Sequence, residues 1–314
     1  MNDNLESVQV IKRMYSRFGY KNINNLNFFI YIMFFYLFLN YIQITTIKLY
    51  LNQTNVNIQL YNINLYNINL YNINLYNIFY SFMIGSVIIP FFIYQVSKFY
   101  KSGKIWDFIF KENYPINLIS SAEKRNNEFI KYPINTYSST FLFNIGCYMI
   151  IRSNKVYNKI SSLWLGNIMN IMGLFSILWW SSSKKIIRKF DNLFMEVHLL
   201  YLSLYYISLV YKEYTTYLNV FIVLYGVFRY YYINNARIVI LFILENIMSI
   251  WFCIKYKNTG DETLYYLGNV SILFGCYFKI KDYLMNYKYG TGLFHIFAPL
   301  SILFHYEWAQ TVIY

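Results

Sequence analysis

Long apolar stretches alternate with short polar ones along most of the chain, and the length of each stretch decides what it predicts. A helix that crosses about 30 Å of hydrocarbon needs about 20 residues. The run FFIYIMFFYLFLNYIQITTIKLYL, from Phe28 to about Leu51, has that length. A second run covers about Phe79 to Val96, and Pro90 inside it predicts a kink. Beyond residue 134 the apolar runs come closer together, near 138–151, 162–180, 191–211, 215–232, 236–254, 264–280 and 291–306. Connections this short make neighbouring helices antiparallel. The pattern therefore predicts an all-α, polytopic transmembrane helical bundle with seven helices in a core and two more spans before it.

Residues 60–78 read LYNINLYNINLYNINLYNI, with Tyr61, Tyr66, Tyr71 and Tyr76 in register. A period of five matches neither helix nor strand, so no face collects the apolar residues, and a low-complexity expansion without chemistry is expected. The longest polar connector, 97–134, holds the module boundary. It divides an N-terminal extension with two transmembrane helices and the LYNIN repeat (1–110) from a seven-helix domain (111–314).

Composition narrows the class. The chain has 314 residues, 57% hydrophobic, 23% aromatic and 13% charged, against about 25% charged in soluble chains. A water-soluble enzyme is thereby disfavoured. The net charge of +13 would suggest nucleic acid in a soluble protein, but here the basic residues lie between apolar runs and no nucleic-acid partner is expected. With the N-terminus inside, twenty Lys and Arg fall on the inner side and six on the outer, as nine spans and the positive-inside tendency require. Residues 1–27 are polar and basic, so a cleaved signal peptide is not expected. Cys147, Cys253 and Cys276 sit in apolar runs without metal-binding spacing and read as small core residues.

Ionisable side chains inside apolar runs are the candidates for chemistry: Asp191, Glu196, His198, Glu245, His295 and His305. Asp191 and His198 share a helix face about 10 Å apart, and His295 and His305 lie about 15 Å apart, at different depths. His198 and His305 read as packing residues. Asp191 follows the basic stretch Lys184, Lys185, Arg188 and Lys189, where a helix N-terminus would favour a carboxylate. Glu245 is expected to pair across helices with Arg229 or Arg237.

Read by span, the polar residues form an ordered series. Tyr132-Pro133-Ile134-Asn135-Thr136-Tyr137-Ser138-Ser139 enters the first helix of the core. It resembles the E-x-x-N-T-x-S-N signature of alkaline ceramidases and their relatives in the CREST superfamily. Gly173-Leu174-Phe175-Ser176 with Trp179-Trp180 and then Asp191 resembles that family's G-x-G-S-x-x-x-H and its following Asp. Gly290-Thr291-Gly292-Leu293-Phe294-His295 resembles the G-H-x-x-W-H of the last helix.

The resemblance covers residues about 120 to 314 and implies a seven-helix intramembrane hydrolase that cleaves the amide of ceramide-type sphingolipids. The family's zinc is held by three His, with a Ser and an Asp assisting. Carried over, the catalytic Ser and Asp are Ser176 and Asp191, and one metal ligand is His295. Trp180 and Thr291 replace the other two ligands, so the catalytic and metal residues read as vestigial. Tyr132 replaces the family's Glu, which puts calcium binding in doubt.

A catalytic zinc needs three protein ligands. The expected reading is therefore a lipid-binding or structural pseudoenzyme with a degenerate zinc site and no cofactor. Zinc would be expected only if the site were intact. Two alternatives stand beside it: an active intramembrane amide hydrolase on ceramide-type lipids, and an accessory subunit of a large mitochondrial inner-membrane complex, respiratory or ATP synthase. Membrane lipids, and in the last case other membrane subunits, are the expected partners. The location would be the endoplasmic reticulum and Golgi or the mitochondrial inner membrane.

Overall fold

The computed structural model describes residues 87–98, 104–110, 112–115, 119, 121–126, 128–231, 236–255 and 261–313. The first predicted span, the LYNIN repeat and the start of the second span lie outside these residues. The described part of the second span is helix α1, Val87–Lys98. A short helix α2, Lys104–Ile109, opens the connector. Seven longer helices follow: α3 (Pro133–Arg152), α4 (Lys159–Ser182), α5 (Lys185–Val210), α6 (Thr215–Tyr231), α7 (Ala236–Lys255), α8 (Glu262–Met285) and α9 (Gly290–Ile313). No strand occurs among the described residues, and one isolated bridge joins Asn113 to Lys184.

Each helix except α2, which lies in the predicted polar connector, contains or overlaps a predicted apolar run, and most add a polar turn whose satisfaction the sequence pattern alone does not reveal. Pro133 opens α3, where its missing N–H costs nothing. The next two amides, of Ile134 and Asn135, donate to the carboxylate of Glu123 at 2.7 and 3.0 Å. A carboxylate far back in the chain thus caps the positive end of this helix. Asn158 caps α4 through the amide of Ser161, and Asp261 caps α8 through that of Thr263. Left-handed residues, Ser183 (φ 55°) and Asn286 (φ 52°), end α4 and α8.

Helices consecutive in sequence run antiparallel, and the packed pairs α9 with α3 and α7 with α5 run in the same direction. α3 packs most extensively on α4, α4 on α5, α8 on α9 and α9 on α3, while α6 and α7 lean on α5. The circuit closes through rings: Tyr206 of α5 against Phe252 of α7, Phe252 against Trp308 of α9, and Trp308 against Tyr265 of α8. The approach of α3 to α4 depends on glycine. A Cβ on Gly146 would lie 2.5 Å from the backbone nitrogen of Asn170, and one on Gly173 would meet the backbone of Phe143.

α4 and α5 are long and apolar enough to cross a membrane by length and composition, and both are largely buried inside the bundle. Polar side chains also point inward. Asn135, Thr136, Ser139, Asn144, Asn170 and Ser176 are all buried. Glu307 accepts from Tyr148 and Arg152 on α3. Arg229 of α6 donates from Nε to Glu196 of α5 at 2.6 Å, with both side chains about 1% exposed. Of the two partners expected for Glu245, Arg229 thus reaches Glu196 of α5, and the side chain of Arg237 lies outside the described residues.

Candidate functional site

Ser138, Ser139, Ser176, Trp180 and His295 gather at one end of the bundle, where α3, α5 and α9 begin and α4 and α8 end. The connector closes this end. Tyr114 N, Lys131 N and Tyr132 N donate to the carbonyls of Ser183, Ser181 and Trp180, each at 3.0 Å. Lys184, the first residue after the α4 turn, is buried and donates from Nζ to Asp107 at 2.6 Å and to Phe110 O at 2.9 Å. That hydrogen bond holds the exposed Asp107 carboxyl below its ordinary pKa.

Hydrogen bonding gathers the imidazole and three hydroxyls. Ser138 and Ser139 lie three and four residues after Asn135, so both hydroxyls fold back onto its carbonyl, at 3.1 and 2.7 Å. His295 Nδ1 lies 3.1 Å from Ser139 Oγ and 3.3 Å from Ser138 Oγ, and the tautomer sets which side donates. Ser176 Oγ lies 3.0 Å from Ser139 Oγ, within hydrogen-bond reach.

The cluster can hold a polar group by hydrogen bonds.

Trp180 fills the space beside His295, with ring centroids 5.9 Å apart. Its indole is 5% exposed and stands edge-on to Tyr132 at 5.6 Å and tilted to Trp179 at 5.7 Å. Tyr132 is thus a wall of this packing, and burial raises its phenol pKa.

Asp191 differs from expectation. α5 begins at Lys185, so Asp191 lies beyond the first turn, and its carboxylate accepts from Arg188 at 2.6 Å instead of serving the helix terminus. Arg188 in turn lies over the Trp179 ring at 5.0 Å.

Thr291 has its own partners on α8. Its hydroxyl donates to the Asp282 carboxylate and accepts from Lys279 Nζ at 2.6 Å. Asp282 also accepts from the amide of Ala122 at 2.7 Å. Thr291 thus fastens the strap 121–126 to the bundle, while Glu123 fastens it to α3. Burial pushes the Glu123 carboxyl above its ordinary pKa against the pull of the two amides it accepts from, and the nearby Asp282 adds to the rise.

The donor set does not fit a catalytic zinc. His295 offers one nitrogen, an indole offers none, the Thr291 hydroxyl is spent on Asp282 and Lys279, and Asp191 is neutralised by Arg188. Among the described residues no group of three His, Cys, Asp or Glu is arranged to hold a metal. His198 and His305 are buried elsewhere, the latter against Tyr265.

Sequence reasoning missed the parts played by Ser138, Ser139, Glu123, Asp282, Lys279 and Arg188. Only the two serines carried a usable signal, their spacing from Asn135. Comparison with family models, with curated proteins and with solved structures finds no match.

Proposed function

We propose that this chain is an integral membrane protein whose bundle, similar in motif order to an alkaline ceramidase, binds lipid or serves a structural role and performs no zinc hydrolysis. The observation that carries this reading is the surroundings of His295. Two serines lie against one nitrogen, and the Trp180 indole packs beside the ring.

The membrane part draws support from the direction of the apolar stripes. On α6, Val220, Leu224 and Val227 are exposed; on α7, Ile240, Ile243, Ile247 and Ile250; on α8, Tyr266, Val270, Leu273, Tyr277, Ile280 and Leu284. Helical spacing puts each set on one face. In a water-soluble bundle such stripes turn toward the core, whereas here they face out while many polar side chains are buried among the apolar core, and exposed apolar patches on this scale need a cover. A hydrocarbon layer supplies it. Lysines resting on aromatic rings near the helix ends, Lys255 on Trp251 and Lys189 on Tyr230, suit its interfaces.

The test is to wash membranes holding the full chain with alkaline carbonate and then assay the protein, purified in lipid, for ceramide cleavage. Retention in the pellet with no cleavage above an empty-disc control is expected. Release into the wash would overturn the membrane reading, and turnover would overturn the pseudoenzyme reading.

A further inference from the structure

We infer that the open groove between α1, α3 and the start of α9 is a binding site for one acyl chain of an anionic phospholipid. This deepens the lipid-binding reading just given and rests on it.

The groove has a volume of about 550 Å³, within the range of roughly 300–1,000 Å³ that small-ligand sites occupy. Pro90 of α1, Tyr137 and Phe141 of α3, and Leu293 and Ile296 of α9 line it, so most of the wall is hydrocarbon or ring. Ser138 and Thr140 add two aliphatic hydroxyls to the wall, and Ser138 links it to the histidine. The Ser138 hydroxyl sits 3.3 Å from His295 Nδ1. A chain lying along the wall would therefore place a carbonyl near the one hydroxyl and imidazole cluster at this end of the bundle. Gly292 keeps the groove open beside α3, since a Cβ there would come within 2.7 Å of Ile134 Cγ2.

Charge at the rim selects the headgroup. Tyr287 and Tyr289, from the α8–α9 connection, also line the groove. Lys281 Nζ rests 5.2 Å from the Tyr287 ring and Lys288 Nζ 4.7 Å from the Tyr289 ring. No lining residue is acidic. Two cations held on aromatic supports, at the mouth of an apolar groove, match a phosphate above a hydrocarbon chain. A neutral sphingolipid would leave both lysines without a partner in the ligand.

The test places the full chain in phosphatidylcholine nanodiscs with a trace phospholipid that carries a photoreactive group at its acyl end. The headgroup is phosphatidylglycerol in one arm and phosphatidylcholine in the other. Cross-links should map to the peptides around Tyr137 and Leu293, and the anionic probe should be favoured.

Losing each lysine, in Lys281→Gln and Lys288→Gln, should cut that preference about fivefold while tail cross-linking persists. Ile296→Trp should fill the groove and abolish the cross-link. Because that variant could misfold, its thermal midpoint is measured alongside, and the two lysine variants, at exposed or half-exposed positions, test the proposal independently. Equal labelling by both headgroups, or cross-links confined to the outward faces of α6, α7 and α8, would overturn it. Zinc and ceramide turnover, measured in the same discs, report on the pseudoenzyme reading alone.

Discussion

Replacing Trp180 by Ala is the sharpest perturbation of the packing beside His295. The indole is buried and has ring partners in Tyr132, Trp179 and His295 at 5.6, 5.7 and 5.9 Å. Truncating a buried aromatic costs about 3–5 kcal/mol, through lost transfer energy and the cavity left behind. Each aromatic pair contributes roughly 0.5–1.5 kcal/mol of that beyond its area. In a bundle of this size, about 2–4 °C of melting temperature goes with each kcal/mol, so the midpoint should fall by roughly 6–20 °C. Differential scanning fluorimetry in lipid discs reads the shift, and Trp180→Phe should recover about half of it because a ring still fills most of the space. Free indole should raise the midpoint of the Ala variant but not of the parent, as a ligand for the new cavity. A loss under about 1 kcal/mol, with no response to indole, would refute the claim that this side chain is a packing element.

Further outcomes follow from other contacts. Arg229→Met should destabilise by about 3–5 kcal/mol by leaving Glu196 buried and uncompensated, while the double variant with Glu196→Leu should regain most of the loss; additive losses in urea or thermal melts would contradict the pairing. Gly173→Val should prevent α3 and α4 from closing, seen as loss of folded protein on size-exclusion chromatography, whereas Gly226→Ala, whose nearest neighbour would be Val197 Cγ2 at 3.7 Å, should fold normally. Glu123→Ala should cost about 0.5–2 kcal/mol as a lost helix cap. The raised pKa of Glu123 means that ionising it costs the folded state. Its contribution is therefore greatest below the pKa of the unfolded chain and declines as pH rises through the folded value, so thermal melts from about pH 4 to 7 should show a decline that Glu123→Gln flattens.

The all-helical character of the described residues was legible because long apolar runs separated by short connections favour helices. Boundaries were less so. α3 starts earlier than its apolar run because Glu123, distant in sequence, satisfies its first amides. α5 likewise takes in the basic stretch from Lys185, and that extension moved Asp191 off the helix terminus and beside Arg188. Which acid Arg229 would meet depended on α6 leaning on α5, a packing fact that carries no periodic signal. At the site, the motif order pointed to Ser176, Trp180, Thr291 and His295. It could not show that Ser139 stands between Ser176 and His295, which are far apart in sequence, or that Thr291 is tied to Asp282 across the turn between α8 and α9.

Zinc stoichiometry bears most directly on the central claim. Protein purified in lipid without chelator, from cells supplied with zinc, is analysed for metal by plasma mass spectrometry beside His295→Ala. The account predicts far less than one zinc per chain in both, since His295 is the one metal-competent side chain left at this site. About one zinc per chain in the parent, lost in His295→Ala, would contradict it.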